Sequence, residues 1–331
     1  MMSKNDVLLS IENLKVFFHS DGTVSRAVDG VSYEIREGET VCLVGESGCG
    51  KTVSALAILG LVPRPPGEIQ GEGVLFRGKN LLELDEEALQ RIRGKEISMI
   101  FQEPMTSLNP VFTVGDQIEE VITTHEEVSR FEAERRVVEL LADVGIPSPE
   151  ERVKDYPHNL SGGQRQRVMI AMALACGPAM VIADEPTTAL DVTVQAQILH
   201  LFQGLQDRRR MAVLHITHNL GVVAEIADRI YIMYAGIIAE TGNAEQIFHD
   251  PSHPYTMGLL AALPSRSRKG QSLYSIPGAV PDPAHKPAGC PFHPRCPHVE
   301  ESCRGEFPAM CDFGDGHSAR CPIVYEQRKG S

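Results

Sequence analysis

The stretch Gly45–Thr52 reads G-E-S-G-C-G-K-T, and it constrains this chain more than any other eight residues in it. It fits the pattern G-x-x-x-x-G-K-[S/T], whose physical context is a strand, a glycine loop and then a helix. That context is present. Thr40–Val44 is short, apolar and β-branched, as a buried strand is, and Val53–Leu61 is apolar with good helix formers. Gly45, Gly48 and Gly50 let the backbone curl so that its N–H groups converge on phosphate oxygens. The following helix presents its positive end to the same anion. Lys51 adds a point charge for the outer phosphates, and Thr52 supplies a hydroxyl for Mg²⁺. Cys49 reads as a small filler without a redox role.

Polar residues recur where strands end. Ile97–Phe101 reads as a second buried strand, ending at Gln102. Met180–Ala183 is a third, followed by Asp184 and Glu185, and Met211–Thr217 is a fourth, ending at His218. Ligands of α/β sheets bind at the carboxyl ends of strands. Asp184 is therefore placed to hold Mg²⁺, directly or through water, and Glu185 to orient or deprotonate a water that attacks a γ-phosphate. His218 can reach the same phosphate edge. Between these strands, Val114–Leu160 is mostly helical and charged, like an inserted subdomain. It ends at Leu160-Ser161-Gly162-Gly163-Gln164, where Ser161 is a good N-cap and two glycines keep the helix start bare, a second anion site.

Leu8–Phe18 alternates loosely and reads as an edge strand. Its adjacent Phe17 and Phe18 point to opposite faces, so one ring can pack inside while the other meets a base. Pro63–Gly73 reads as turn chemistry.

The length of 331 residues allows roughly two domains. No run of eighteen apolar residues is present and the N-terminus lacks the apolar segment of a signal peptide, so a cytosolic protein is expected. A net charge of −13 argues against a nucleic-acid backbone as the main partner. Of eight cysteines, Cys42, Cys49 and Cys176 are scattered, and Cys290, Cys296, Cys303, Cys311 and Cys321 crowd the tail.

Taken together these motifs resemble the nucleotide-binding subunit of an ATP-binding-cassette (ABC) transporter over about the first 240 residues. The resemblance implies an α/β fold: a P-loop NTPase cassette with a RecA-like core, an antiparallel β subdomain and an inserted helical subdomain, here with a small Cys-rich C-terminal extension. It makes Gly45–Thr52 the Walker A loop, so that Gly45, Ser47, Gly48, Cys49, Gly50, Lys51, Thr52 and Val53 bind nucleotide. Gln102 matches the Q-loop glutamine, a Mg²⁺ ligand along with Thr52 and Asp184. Leu160–Gln164 matches the signature sequence, Glu185 the catalytic glutamate, Ala189-Leu190-Asp191 the D-loop and His218 the switch histidine. Phe18 lies where the family places an aromatic ring under adenine. Such subunits pair head to tail, which implies that Ser161, Gly162, Gly163, Gln164 and Asp191 touch ATP bound by the partner cassette.

Phe101–Asp116, Asp250–Pro264 and the C-P-F-x-P-R-C run resemble the dipeptide/oligopeptide permease branch, whose text is shared by importers of nickel and other small cargo. The branch implies a second cassette, two integral membrane permease subunits and an extracytoplasmic peptide-binding protein as partners. It places the chain on the cytoplasmic face of the membrane. A soluble ABC ATPase acting on nucleic acid or ribosomes is the alternative. The expected division is residues 1–243 for the cassette, with 103–160 its helical subdomain, and 244–331 for the extension.

Ser265–Lys269 reads as a basic linker and Ile276–Ala288 is rich in proline. Gly289–Ile323 carries too little apolar material for a core of its own, so something must staple it. Four thiolates suit a 4Fe–4S cluster or a zinc ion. The intervals between Cys290, Cys296, Cys303 and Cys321 are five, six and seventeen residues and lack the paired knuckles of zinc ribbons. The branch resemblance favours the iron–sulfur cluster, with zinc second and disulfides third.

Overall fold

The computed structural model describes residues 7–20, 22–102, 107–187, 191–263 and 274–329. The chain divides into two compact units. The first holds residues 1–35, 40–82 and 216–331, and the second holds 36–39 and 83–215.

In the first unit, β1 (Val7–Ser20) and β2 (Thr23–Arg36) join β4 (Gly67–Gln70), β5 (Gly73–Phe76) and β6 (Lys79–Asn80) in one sheet. Its order is β2-β1-β5-β6, with β4 also on β1. β1 is thus an interior strand and not the edge expected from its loose alternation. The looseness has a local cause. Asn13 adopts φ 50°, and this one left-handed residue resets the parity between buried Leu9 and Ile11 before it and buried Leu14 and Val16 after it. The second strand on that side comes from Pro63–Gly73, the segment read as turn. Gly67 pairs with Phe18 and Gln70 with Lys15. A Cβ on Gly67 would stand 2.6 Å from the Pro63 carbonyl oxygen, so glycine there serves close packing as much as turning.

β3 (Thr40–Val44) is buried throughout. β10 (Arg229–Tyr234) runs parallel to it, β11 (Ile237–Gly242) antiparallel to β10, and β13 (His317–Ala319) antiparallel to β11, with β12 (Cys311–Gly314) outermost. Cys42, Val44, Ile230, Ile232, Tyr234, Tyr255, Leu260 and Phe292 share one core against these strands. The tail therefore needs no core of its own. Phe292 is 2% exposed, with its ring centroid 5.2 Å from Tyr234 and 5.4 Å from Tyr255. Glu240, fully buried on β11, accepts hydrogen bonds from the backbone N–H groups of Ser252 (2.6 Å) and His253 (2.9 Å), and His317 Nε2 lies 2.8 Å from its carboxylate. Ser265–Lys269, the expected basic linker, lies outside the described residues.

In the second unit, β7 (Ile97–Ile100) and β8 (Met180–Asp184) are parallel neighbours, and β9 (Ala212–Thr217), whose residues 212–215 belong here, lies on the other side of β8. Its longer helices are Val114–His125, Arg130–Asp143, Gly162–Leu174 and Val192–Arg209. The helix Arg130–Asp143 buries Ala133, Val137, Leu140 and Leu141, the i, i+4, i+7, i+8 stripe of an amphipathic helix, and Ser129 caps it. Those side chains join Ile118, Ile122, Val168, Ile170, Val181 and Val213 in a single core.

Candidate nucleotide site

β3 delivers the glycine loop Gly45–Thr52 of the first unit. Gly45 and Gly50 are both pressed against backbone: a Cβ would lie 2.2 Å from the Met233 oxygen at Gly45 and 2.3 Å from the Ala27 oxygen at Gly50, which also has φ 102°. Only glycine fits either place without moving the loop. Gly48 has φ 80° and faces open space. Ser47, Gly48 and Thr52 are exposed and Val53 is half-buried, so the loop turns its tip outward while Gly45, Cys49, Gly50 and Lys51 stay inside. Lys51 Nζ lies 2.8 Å from the Gly45 carbonyl oxygen and 3.0 Å from that of Glu46. No side chain caps the start of helix Lys51–Ile58, and no acidic residue occupies its first turn. Its N-terminal N–H groups and dipole therefore favour an anion. Burial pushes the Cys49 thiol up despite the nearby Lys51 charge, the opposite of a reactive cysteine. His218 is exposed, directly after β9, and Asn219 beside it caps helix Leu220–Ile226. Phe17 and Phe18 are both half-buried, so neither is purely core.

In the second unit, strand register explains why two of the expected residues meet. Ile100 pairs with Ala183. Gln102 and Glu185 each lie two residues beyond that pair on parallel strands, and Gln102 Nε2 donates to Glu185 Oε2 at 3.1 Å. Asp184 ends β8 at 2% exposure. Glu185 then adopts φ 46°, a left-handed conformation that costs a non-glycine residue about 1–2 kcal/mol. Strain of this kind collects at working sites.

The Leu160–Gln164 stretch forms a reciprocal cap. The Gln164 N–H donates to Ser161 Oγ at 3.3 Å, and the Ser161 N–H donates to Gln164 Oε1 at 2.9 Å. Ser161 and Gly162 are exposed, and Gly163 and Gln164 are half-buried. A Cβ on Gly163 would stand 2.8 Å from Val194 Cγ1. Val194 belongs to helix Val192–Arg209, which Asp191 caps by accepting the Val194 N–H at 3.0 Å. Gly163 and Asp191 are thus brought together through one residue, Val194. Ala189 and Leu190 fall outside the described residues. The second unit so carries an exposed, Ser161-capped helix start and a strained, half-buried carboxylate next to a buried one, and the first carries a glycine cradle with an inward lysine. An anion cradle and a carboxylate base are the parts that nucleotide hydrolysis requires.

Comparison with known proteins agrees. The ABC transporter family model matches residues 28–188, and a second model, the oligopeptide/dipeptide transporter C-terminal region, matches residues 239–303. A putative peptide import ATP-binding protein of Brucella ovis is 50% identical over 325 residues, covering 95% of this chain and 96% of that protein. This chain belongs to the ABC transporter ATP-binding proteins. The dipeptide transport ATP-binding protein DppD of Escherichia coli is 49% identical, with 95% of this chain and 96% of that one covered. Among solved structures, the dimeric ATP-binding cassette MJ0796 in a post-hydrolysis state with ADP and Pi aligns with a TM-score of 0.63 and 28% identity. The alignment covers 71% of this chain and 98% of that one. The fold is the ABC cassette, and ATP with Mg²⁺ is the nucleotide such an ATPase turns over.

The cassette's tail requires a correction. Cys290, Cys296, Cys303 and Cys321 do line one cavity of about 590 Å³, with His293 and His298. Yet among the described residues no three His, Cys, Asp or Glu side chains are grouped so as to hold a metal ion. The iron–sulfur assignment, and zinc with it, is withdrawn. Burial raises the Cys290 and Cys296 thiols and lifts Cys321 to about 11, which favours thiol over thiolate. The inference went wrong at its premise. The tail is held by Phe292 in the cassette's own core, by β13 on β11 and by the Glu240 network. Cys311 sits apart, on β12.

Three contact residues escaped the sequence reading. Arg295 grips the Glu46 carboxylate with both terminal nitrogens, at 2.7 and 3.1 Å, and the Glu46 N–H donates to the Tyr255 hydroxyl at 2.9 Å. Glu46 is an unspecified position of the loop pattern, and Arg295 lies between the cysteines that drew attention. No local signal links residues 249 positions apart.

Proposed function

We propose that this cassette hydrolyses ATP to drive import of dipeptides and oligopeptides through a membrane ABC transporter. In this reading the phosphate loop from Gly45 to Val53 binds the phosphates, with Lys51 as the charge on the outer ones and Phe18 under the adenine. Thr52, Gln102 and Asp184 hold Mg²⁺, which would neutralise charge developing on the phosphates. Glu185 takes the proton of the attacking water, and His218 reaches the same phosphate edge. Ser161, Gly162, Gly163, Gln164 and Asp191 meet ATP held by the facing cassette, so that ATP closes the pair and hydrolysis loosens it.

The observation that carries the peptide reading is the match of residues 239–303 to the oligopeptide/dipeptide transporter C-terminal region, beyond the ATPase motifs that all cassettes share. It fits the names of the relatives that span the chain. Two permease subunits, a second cassette and, indirectly, an extracytoplasmic binding protein are the partners of this reading, with no nucleic acid among them. Residues 1–243 form the ATPase, including the helical subdomain 103–160, and 244–331 form the C-terminal extension. Among the described residues no helix is long and apolar enough to cross a membrane. Attachment at the cytoplasmic face through the permease subunits suits such a chain.

Uptake of a labelled dipeptide, a labelled tripeptide and nickel, measured in cells with and without this gene, tests the cargo. Peptide uptake should disappear on deletion and return on complementation, with nickel uptake unchanged. Loss of nickel uptake alone would overturn the peptide assignment.

A further inference from the structure

The C-terminal region reaches the glycine loop through two residues, Arg295 and Tyr255, that converge on Glu46. Glu46 is the second residue of the loop, between Gly45 and the exposed tip. Its carboxylate receives the forked Arg295 guanidinium. Its N–H donates to Tyr255. Its carbonyl oxygen accepts from Lys51 Nζ at 3.0 Å. Lys51 thus leans on a residue whose other two polar groups are fixed by residues from beyond position 250.

The holder is itself rigid. The Arg295 side chain is 4% exposed. Its Nε donates to the Pro277 carbonyl at 2.9 Å and a terminal nitrogen to the Ile276 carbonyl at 3.3 Å, and the guanidinium stacks over Tyr234 and Phe292. Hydrogen bonding to Glu46 raises the arginine's pKa further, so the charge is permanent. Tyr255 is buried against Tyr234, with ring centroids 4.6 Å apart. A planar fork matched to a carboxylate gives direction as well as attraction. In contrast, nothing in the loop's own sequence pattern fixes Glu46.

We propose that Arg295 and Tyr255 are positioning residues of the nucleotide site: by clamping Glu46 they set the loop geometry in which Lys51 and the backbone N–H groups meet the phosphates. The C-terminal region is then part of the ATP site and not an appendage to it. This rests on the reading of Gly45–Thr52 as the ATP phosphate loop.

The test uses the purified full chain and a fluorescent ATP analogue, with thermal unfolding measured on every variant. Arg295→Ala also frees two carbonyls and an aromatic stack, so Glu46→Gln and Tyr255→Phe, which keep size and shape, carry the argument. Each should raise the Kd for nucleotide about tenfold, the effect of one lost charge-assisted or buried hydrogen bond on the binding geometry, with unfolding temperature little changed. Glu46→Gln combined with Arg295→Ala should bind no worse than Arg295→Ala alone, because both act through one contact. Additive losses would mean Arg295 acts on stability and not through Glu46, overturning the proposal. Wild-type affinity in both Glu46→Gln and Tyr255→Phe would overturn it too. Lys51→Ala separates the two levels. If it abolishes binding while the clamp variants bind normally, only the clamp fails; if it too binds normally, the ATP-site reading fails.

Discussion

Glu185→Gln is expected to slow ATP turnover about a hundredfold or more while ATP still binds. The substitution keeps the side chain's length and its ability to accept from Gln102 Nε2, 3.1 Å away in the native protein. What it removes is the basicity that lets the group draw a proton from water. The backbone argues for the same residue. Glu185 holds a left-handed φ of 46° directly after buried Asp184, a backbone cost of the kind that active sites often carry. Steady-state hydrolysis and nucleotide binding, measured side by side on the variant, separate chemistry from affinity. Hydrolysis near the native rate would remove Glu185 from the role of base.

A comparably large effect is expected on stability from Glu240→Ala. The carboxylate is fully buried and satisfies two backbone N–H groups, of Ser252 and His253, as well as facing His317. Truncation strands all three partners in the interior. Breaking a buried polar network from one side typically costs about 3–5 kcal/mol, much more than an exposed ion pair is worth. Urea unfolding of the full chain should show the loss as a lower midpoint. Glu240→Gln should fall between, since it keeps one acceptor. A loss below about 1 kcal/mol would mean the tail is anchored elsewhere, with Phe292 as the remaining candidate.

The parts of this cassette that were legible in the sequence are local ones. The strand–glycine loop–helix unit, the N-cap of Ser161 and the polar residues after β7, β8 and β9 each follow from a few consecutive residues, and the structure has these elements where the pattern put them. Gln102 and Glu185 came together because parallel strands with a simple register carry both. The misread features depend on distant partners. β1 looked like an edge because Asn13 breaks its alternation and because the strand beside it is written in prolines and glycines. The tail looked unable to fold because its partners, Tyr234 and β11, lie elsewhere in the chain. From that came the appeal to a metal staple. Arg295 and Glu46 show the same limit: each is unremarkable in its own neighbourhood, and only the fold makes them a pair.

The central claim is that ATP is gripped by the phosphate loop of one cassette and the signature helix of another. Its most direct measurement is the structure of the assembled transporter, slowed by Glu185→Gln and saturated with ATP. The account predicts the Ser161 hydroxyl and the Gly163 N–H within hydrogen-bonding distance of the γ-phosphate held by the facing cassette's loop. A closed, ATP-filled assembly in which the Ser161 helix tip faces only solvent would contradict it.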